Sequence, residues 1–226
     1  MTRPGAAARG WFITIEGPEG AGKTTQAAAL ARHLMDLGLD VHTTREPGGT
    51  WLGERLRDVL LARTDSAAPT DPLTDALLFN AARRQLVTEV IRPALESGRT
   101  VVCARFADST LAYQGYGAGI PLERLRALES AATDGLVPDL TILLDLPVEA
   151  GLARKPPGDI TRFEAEFDVG FHRRVRDGFR ALAAAQPERF AVVDASGPTG
   201  DVSVAAASAV DRLVRPGEPK PATVRT

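Results

Sequence analysis

With 226 residues and 24.0 kDa, the chain has the length of one domain with a full hydrophobic core rather than two. Hydrophobic residues make up 44% and charged residues 25%, and a net charge of -2 excludes the clearly basic surface of a general nucleic-acid binder. A single cysteine, Cys103, rules out an intrachain disulfide. It ends an apolar run and reads as a buried thiol in a reducing compartment. No apolar stretch approaches the ~18 residues of a membrane helix, and Met1–Arg9 has no apolar signal core. The expected location is the cytoplasm.

In chain order, residues 1–9 and 215–226 read as disordered tails around one domain over 10–214. Strands are expected at Trp11–Glu16, Asp40–Thr44, Thr100–Ala104, Leu140–Asp145 and Phe190–Asp194. Helical patterns lie between them at 23–37, 51–62, 72–97, 108–117, 121–134 and 161–185, with a last one near 200–214. This alternation predicts an α/β fold, a five-stranded parallel sheet with helices on both faces. Leu73, Leu77, Ala81, Leu86 and Val90 give the third helix its apolar stripe, and Pro93 is expected to kink or interrupt it. The run Arg154–Ile160 holds two prolines and a glycine, so a mobile lid is expected over about 150–162.

The strongest signal follows the first strand. Gly17, Pro18, Glu19, Gly20, Ala21, Gly22, Lys23 and Thr24, continued by Thr25, match the phosphate-binding pattern G-x-x-x-x-G-K-[ST] between a strand and a helix. Glycines let main-chain N–H groups and the helix N-terminus surround a phosphate. Lys23 is the residue to bridge β- and γ-oxygens, and the Thr24 hydroxyl is a Mg²⁺ ligand candidate. The expected fold is therefore that of the P-loop NTPases, with ATP as ligand. Asn80 is the only asparagine, so the guanine-reading N-K-x-D of a GTPase is absent.

Beyond the cradle, the chain resembles the bacterial thymidylate kinases over roughly residues 11–210. GPEGAGKTT looks like their P-loop, TREPGGT (44–50) like their second motif and FNAARRQL (79–86) like their thymine-binding helix. RFADSTLAYQG (105–115) is similar to their third motif, and TRFEAE (161–166) to the end of their lid. The resemblance implies transfer of the γ-phosphate of ATP to dTMP, with Mg²⁺, for dTDP synthesis by a homodimer. No nucleic-acid or membrane partner is expected.

The residues also have their own chemistry. Phe79 and Arg83 share a helix face, where a ring can stack a pyrimidine and a guanidinium can donate to its O4. Arg45 and Arg105 each follow a strand end, and arginines so placed can grip a phosphate dianion. Ser109 with Tyr113, and Thr110 with Gln114, are spaced to share faces of a short helix. The resemblance implies that Ser109 or Thr110 approaches thymine N3, with Tyr113 and Gln114 near base and sugar. It also implies that Glu19 contacts the acceptor sugar and the metal shell. Among Arg154, Lys155 and Arg162, it favours Arg154 and Arg162 as the cations reaching over the transferring phosphoryl group, alongside Lys23 and Arg45.

One position departs from the family. Its members usually carry Asp-Arg where this chain has Ala104-Arg105, and alanine cannot hold Mg²⁺. Asp145, closing the apolar run TILLD, is a substitute of the Walker-B kind. Ala104 keeps open the reading of a weakly active nucleotide-binding protein; the other alternative is a kinase for another nucleoside or nucleoside monophosphate, and Arg45 and Arg105 argue against a bare nucleoside.

Overall fold

The computed structural model describes residues 9–62, 70–154 and 161–214. Five strands, β1 (Phe12–Glu16), β2 (Val41–Arg45), β3 (Thr100–Ala104), β4 (Leu140–Asp145) and β5 (Phe190–Asp194), form one sheet in the order β2-β3-β1-β4-β5. All four pairings are parallel, for example Phe12 with Val101 and Thr14 with Thr141. Each expected strand is present to within a residue at either end. β1 and β3 are buried along their whole length because helices cover both faces, while edge strand β2 is half-exposed.

Alternation along the strands divides the core. Ile13, Ile15, Val102, Ile142 and Val193 face one side and pack on α1 (Lys23–Asp36) and α10 (Thr199–Leu213). Phe12, Val101, Cys103 and Leu143 face the other side. There they meet α3 (Pro72–Leu86), α5 (Ala107–Thr110) and α9 (Val169–Ala185), with α6 (Leu122–Thr133) behind. β1 lies between β3 and β4, so the chain reverses direction across the sheet at its C-terminal end. Open α/β sheets bind ligands at such a reversal.

Three helices depart from the sequence expectation. The helix read over 72–97 runs as α3, a π-helical turn at Val87–Ile91 and α4 (Arg92–Glu96). Pro93 falls in the first turn of α4, where a missing N–H is tolerated, and the irregularity moves to the preceding π turn. A second π turn, Leu111–Gly117, continues α5. The pattern over 161–185 is split into α8 (Arg162–Glu166) and α9, because Asp168 accepts from the Phe171 N–H at 2.7 Å and starts a new helix. The Phe167 ring stacks on Phe171 at 4.0 Å beside this cap.

A short helix, α7 (Val148–Ala153), was not legible as such in the sequence. It lies against the loop after β1 so closely that a Cβ on Gly151 would sit 2.2 Å from the Glu19 carbonyl oxygen. Helix α2 (Trp51–Leu61) completes the set, capped by the Thr50 hydroxyl. Arg9, assigned by sequence to a tail, is clasped by Asp139 at 2.7 and 3.0 Å. Residues 1–8, 215–226 and the Lys155–Ile160 part of the expected lid lie outside the described residues.

Gly151→Ala forces backbone apart, since neither neighbour offers a side chain to yield. The expected loss is about 1–3 kcal/mol, the usual range for overpacking. Thermal or denaturant unfolding of the variant measures it.

Candidate functional site

The loop Gly17–Gly22 joins β1 to α1 and folds back over the helix N-terminus. Gly17, Gly20 and Gly22 have φ of 146, 70 and 85°, which side-chain-bearing residues rarely adopt. Lys23 Nζ turns inward and donates to the carbonyls of Gly17 at 3.0 Å and Pro18 at 2.6 Å. The ammonium is thus stored within the loop that a nucleotide phosphate would occupy. Thr24 and Thr25 are exposed on the first turn of α1.

From this loop a cleft of about 730 Å³ runs toward the C-terminal ends of β2 and β3. Glu19, Gly20, Gly22, Lys23, Thr24 and Thr25 line its one side. Phe79, Arg83, Arg105, Ser109, Thr110, Tyr113 and Gln114 line the other. The residues expected around an acceptor base are therefore brought together, with Thr161 and Phe163 added from the start of α8.

Arg83 is the best-anchored side chain in the cleft, only 1% exposed. Its Nε donates to Glu46 Oε2 at 2.9 Å, Nη1 to Asn80 Oδ1 at 3.1 Å, and Nη2 to the Phe106 carbonyl and Thr110 Oγ1 at 3.0 and 3.1 Å. A guanidinium has five donors, so one N–H remains for a ligand. Glu46 is buried, its second oxygen, Oε1, has no hydrogen-bond partner, and desolvation raises its pKa against the pull of Arg83. Gln114 is 3% exposed, and its carboxamide has no hydrogen-bond partner among the described residues. It is free to present one donor and one acceptor.

Arg105 stands in the left-handed region at φ 67°. Its Nη2 donates to Glu19 Oε1 at 2.5 Å and to the Tyr113 hydroxyl at 3.3 Å, and that hydroxyl donates to Glu19 at 2.9 Å. Burial alone would lower the Arg105 pKa, but the Glu19 carboxylate, with Tyr113 and Glu16 nearby, lifts it above its ordinary value. Burial holds the Tyr113 phenol well above its usual range. Glu19, expected on the acceptor sugar and the metal, is instead held by this pair across the cleft.

Several residues expected at the site stand elsewhere in this structure. Arg45 does not line the cleft; half-exposed, it is held by both oxygens of Glu54 at 2.9 and 3.0 Å, anchored there because Glu54 also accepts the Gly49 N–H. Arg162, expected over the phosphates, is buried instead. Its Nη2 meets Asp75 Oδ1 at 2.6 Å and its Nε the Leu60 carbonyl at 2.7 Å, which fastens α8 to α2 and α3. Arg154 donates to the carbonyls of Ala195 and Ser196 at 3.0 and 3.3 Å rather than reaching the cradle. Asp145 is clamped by Arg176 at 2.7 and 3.0 Å. Ser109 donates its hydroxyl to Glu16 at 2.6 Å, which leaves Thr110 and Gln114 to face a base.

The sequence reading missed Arg57 on α2. It lines the cleft, donates to the Pro47 carbonyl at 3.0 Å, and has a lowered pKa from burial and from the charges of Arg45 and Arg105. Its only sequence signal was a position twelve residues past Arg45 in an ordinary amphipathic helix. Among the described residues, no group of three or more His, Cys, Asp or Glu could hold a metal. Ala104 is buried beside Ile15 of β1, in the apolar cluster that also holds Ala21. A Mg²⁺ that arrives on the nucleotide phosphates and takes Thr24 as one protein ligand fits this donor set, because Mg²⁺ keeps several waters and few protein groups.

Behind the cleft, half-buried Glu129 on α6 has its pKa pushed up to about 7 by burial and by Asp108, while Arg83 and Arg189 oppose the rise.

A family model described as thymidylate kinase matches residues 15–205. The thymidylate kinase of Desulfovibrio desulfuricans is 53% identical over 213 residues, covering 90% of this chain and 96% of that one. That of Deinococcus radiodurans is 53% identical over 195 residues, covering 86% and 93%. The crystal structure of thymidylate kinase from Ehrlichia chaffeensis superposes with a TM-score of 0.71 at 35% identity, over 89% of this chain and 99% of that one.

Two outcomes follow from these charges. Arg83→Ala strands Glu46 as an unpaired buried carboxylate and should cost about 3–5 kcal/mol of stability. Adding Glu46→Gln should recover part of that loss in denaturant unfolding. For Glu129, the folded pKa lies above the ordinary glutamate value of 4.5, so the native state binds more protons and stability falls as pH rises between 4.5 and about 7. Glu129→Gln should therefore gain melting temperature over the parent between about pH 5 and about pH 8.

Proposed function

The chain belongs to the thymidylate kinase family, and from that premise we propose that it transfers the γ-phosphate of ATP to dTMP, giving ADP and dTDP. The observation that carries the acceptor identity is the pairing of Arg83 and Gln114 beside the Phe79 ring in one cleft with the phosphate loop. Thymine offers O4 as an acceptor and N3–H as a donor on the same edge. The spare N–H of Arg83 matches O4, the carboxamide oxygen of Gln114 matches N3–H, and Phe79 supplies a face for stacking. Thr110 sits beside both, its oxygen already accepting from Arg83.

An oxygen of the acceptor phosphate attacks the γ-phosphorus while the bond to the β-bridging oxygen breaks. The acceptor is already an anion, so no proton has to leave and no general base is needed. What the protein supplies is alignment and positive charge. Lys23 leaves the Gly17 and Pro18 carbonyls to follow the transferred phosphoryl group. Arg57 and Arg105 hold the acceptor phosphate, and Arg45 adds charge from outside the lining. Roles for Arg154 and Arg162 at the phosphates require both to leave the partners described above. Mg²⁺, carried by ATP and bound through Thr24, would neutralise the β- and γ-oxygens.

No helix among the described residues is long and apolar enough to cross a membrane, which agrees with a cytoplasmic enzyme. Trp51, Leu52, Val59 and Leu77 are exposed on α2 and α3, two helices that pack on each other. Apolar exposure of this kind supports a homodimer.

The test is a coupled ADP-release assay with dTMP, dUMP, dCMP and thymidine. Turnover should be highest with dTMP and absent with thymidine, which lacks the phosphate. Lys23→Ala should abolish transfer while the circular dichroism and melting curve stay those of a folded chain. Turnover with thymidine, or normal rates in folded Lys23→Ala, would count against the assignment.

A further inference from the structure

Glu16 is the last residue of β1 and does not itself line the cleft, but it bonds Phe106 and Ser109, which do. It is fully buried, and its side chain points to the face of the sheet that carries α5. Oε1 accepts from the Phe106 N–H at 2.7 Å and the Ser109 N–H at 3.3 Å, while Oε2 accepts the Ser109 hydroxyl at 2.6 Å. The N-terminus of α5 has no side-chain cap of its own. A carboxylate from a different strand performs that task.

The segment so held is the one that aims Arg105. A residue with a side chain persists in the left-handed region only where its surroundings over-determine it. Here the Arg105 N–H is fixed on the Ile15 carbonyl at 2.9 Å, and the next residues are fixed on Glu16. Ser109 closes the arrangement by accepting from Arg105 Nη1 at 3.3 Å while donating to Glu16. We propose that Glu16 is a positioning residue for the acceptor phosphate. It orients Arg105 through the Phe106–Ser109 turn and so sets dTMP binding from inside the sheet. Burial and the charge of Asp108 push the Glu16 pKa up to about 7, against the pull of Ser109 and Arg105, so the site tolerates a reluctant anion for the sake of these contacts. The inference rests on the reading of the cleft as a dTMP site.

The experiment is steady-state kinetics of the full chain carrying Glu16→Gln, Ser109→Ala or both. In Glu16→Gln the amide nitrogen cannot accept the Ser109 hydroxyl, and the charge facing Arg105 is gone. The KM for dTMP should rise about tenfold, the scale of losing a hydrogen bond to a charged group, with the KM for ATP nearly unchanged. Ser109→Ala should move the same constant in the same direction, and the double variant should lose less than the two single changes combined. A merely structural role would lower the melting temperature and spare this split. If Glu16→Gln does not fold, Ser109→Ala decides alone. Equal rises in both KM values, or an unchanged dTMP KM in a folded variant, overturn the proposal. Absence of dTMP-dependent turnover in the unaltered chain overturns the acceptor reading, and this inference with it.

Discussion

The ion pair of Arg83 with Glu46 holds the acceptor half of the molecule together. One guanidinium, shielded from water, gathers the loop after β2 through Glu46, its own helix through Asn80, and the turn after β3 through Phe106 and Thr110. These segments are far apart in the chain. Ion pairs so placed contribute modestly as a net term because both charges are desolvated. Their effect is geometric: the cleft has one arrangement in which the charges are matched, and any other leaves one of them bare.

The same economy recurs around the site. Arg162 with Asp75 fastens α8 over the cleft mouth, Arg189 with Asp108 crosses behind α5, and Arg105 with Glu19 spans the cleft itself. Arginine suits each of these places because its planar fork satisfies two or more acceptors at once. Arg105 differs from the other two in that its partner lies on the phosphate loop, so the donor and acceptor halves of the cleft touch through charge before either ligand arrives.

The sheet was legible in the sequence because interior parallel strands are short, largely apolar and bounded by turns, as Thr100–Ala104 and Leu140–Asp145 are. The phosphate loop was legible because its chemistry is local, contained in eight consecutive residues. Of the residues expected around the acceptor, all but Arg45 line the cleft, but their partners were hidden. Nothing in the spacing of Glu46 and Arg83, or of Glu16 and Ser109, announces a contact between them. The same holds for Arg162, whose place in a lid motif gave no sign that Asp75, 87 positions earlier, would bury it. The break between α8 and α9 was missed for a different reason, since the apolar period of Phe163, Phe167 and Phe171 continues through a cap that only Asp168 creates.

The contact between the phosphate loop and α7 has a consequence for how this fold can vary. A Cβ on Gly20 would lie 1.9 Å from the Gly151 carbonyl oxygen, and one on Gly151 would lie 2.2 Å from that of Glu19. Most tight contacts can be relieved by enlarging one partner and shrinking the other. Here both partners are already backbone, so no exchange at either position can make room for a change at its mate. The two glycines are therefore frozen as a pair, and variation in this region must be confined to the side chains around them.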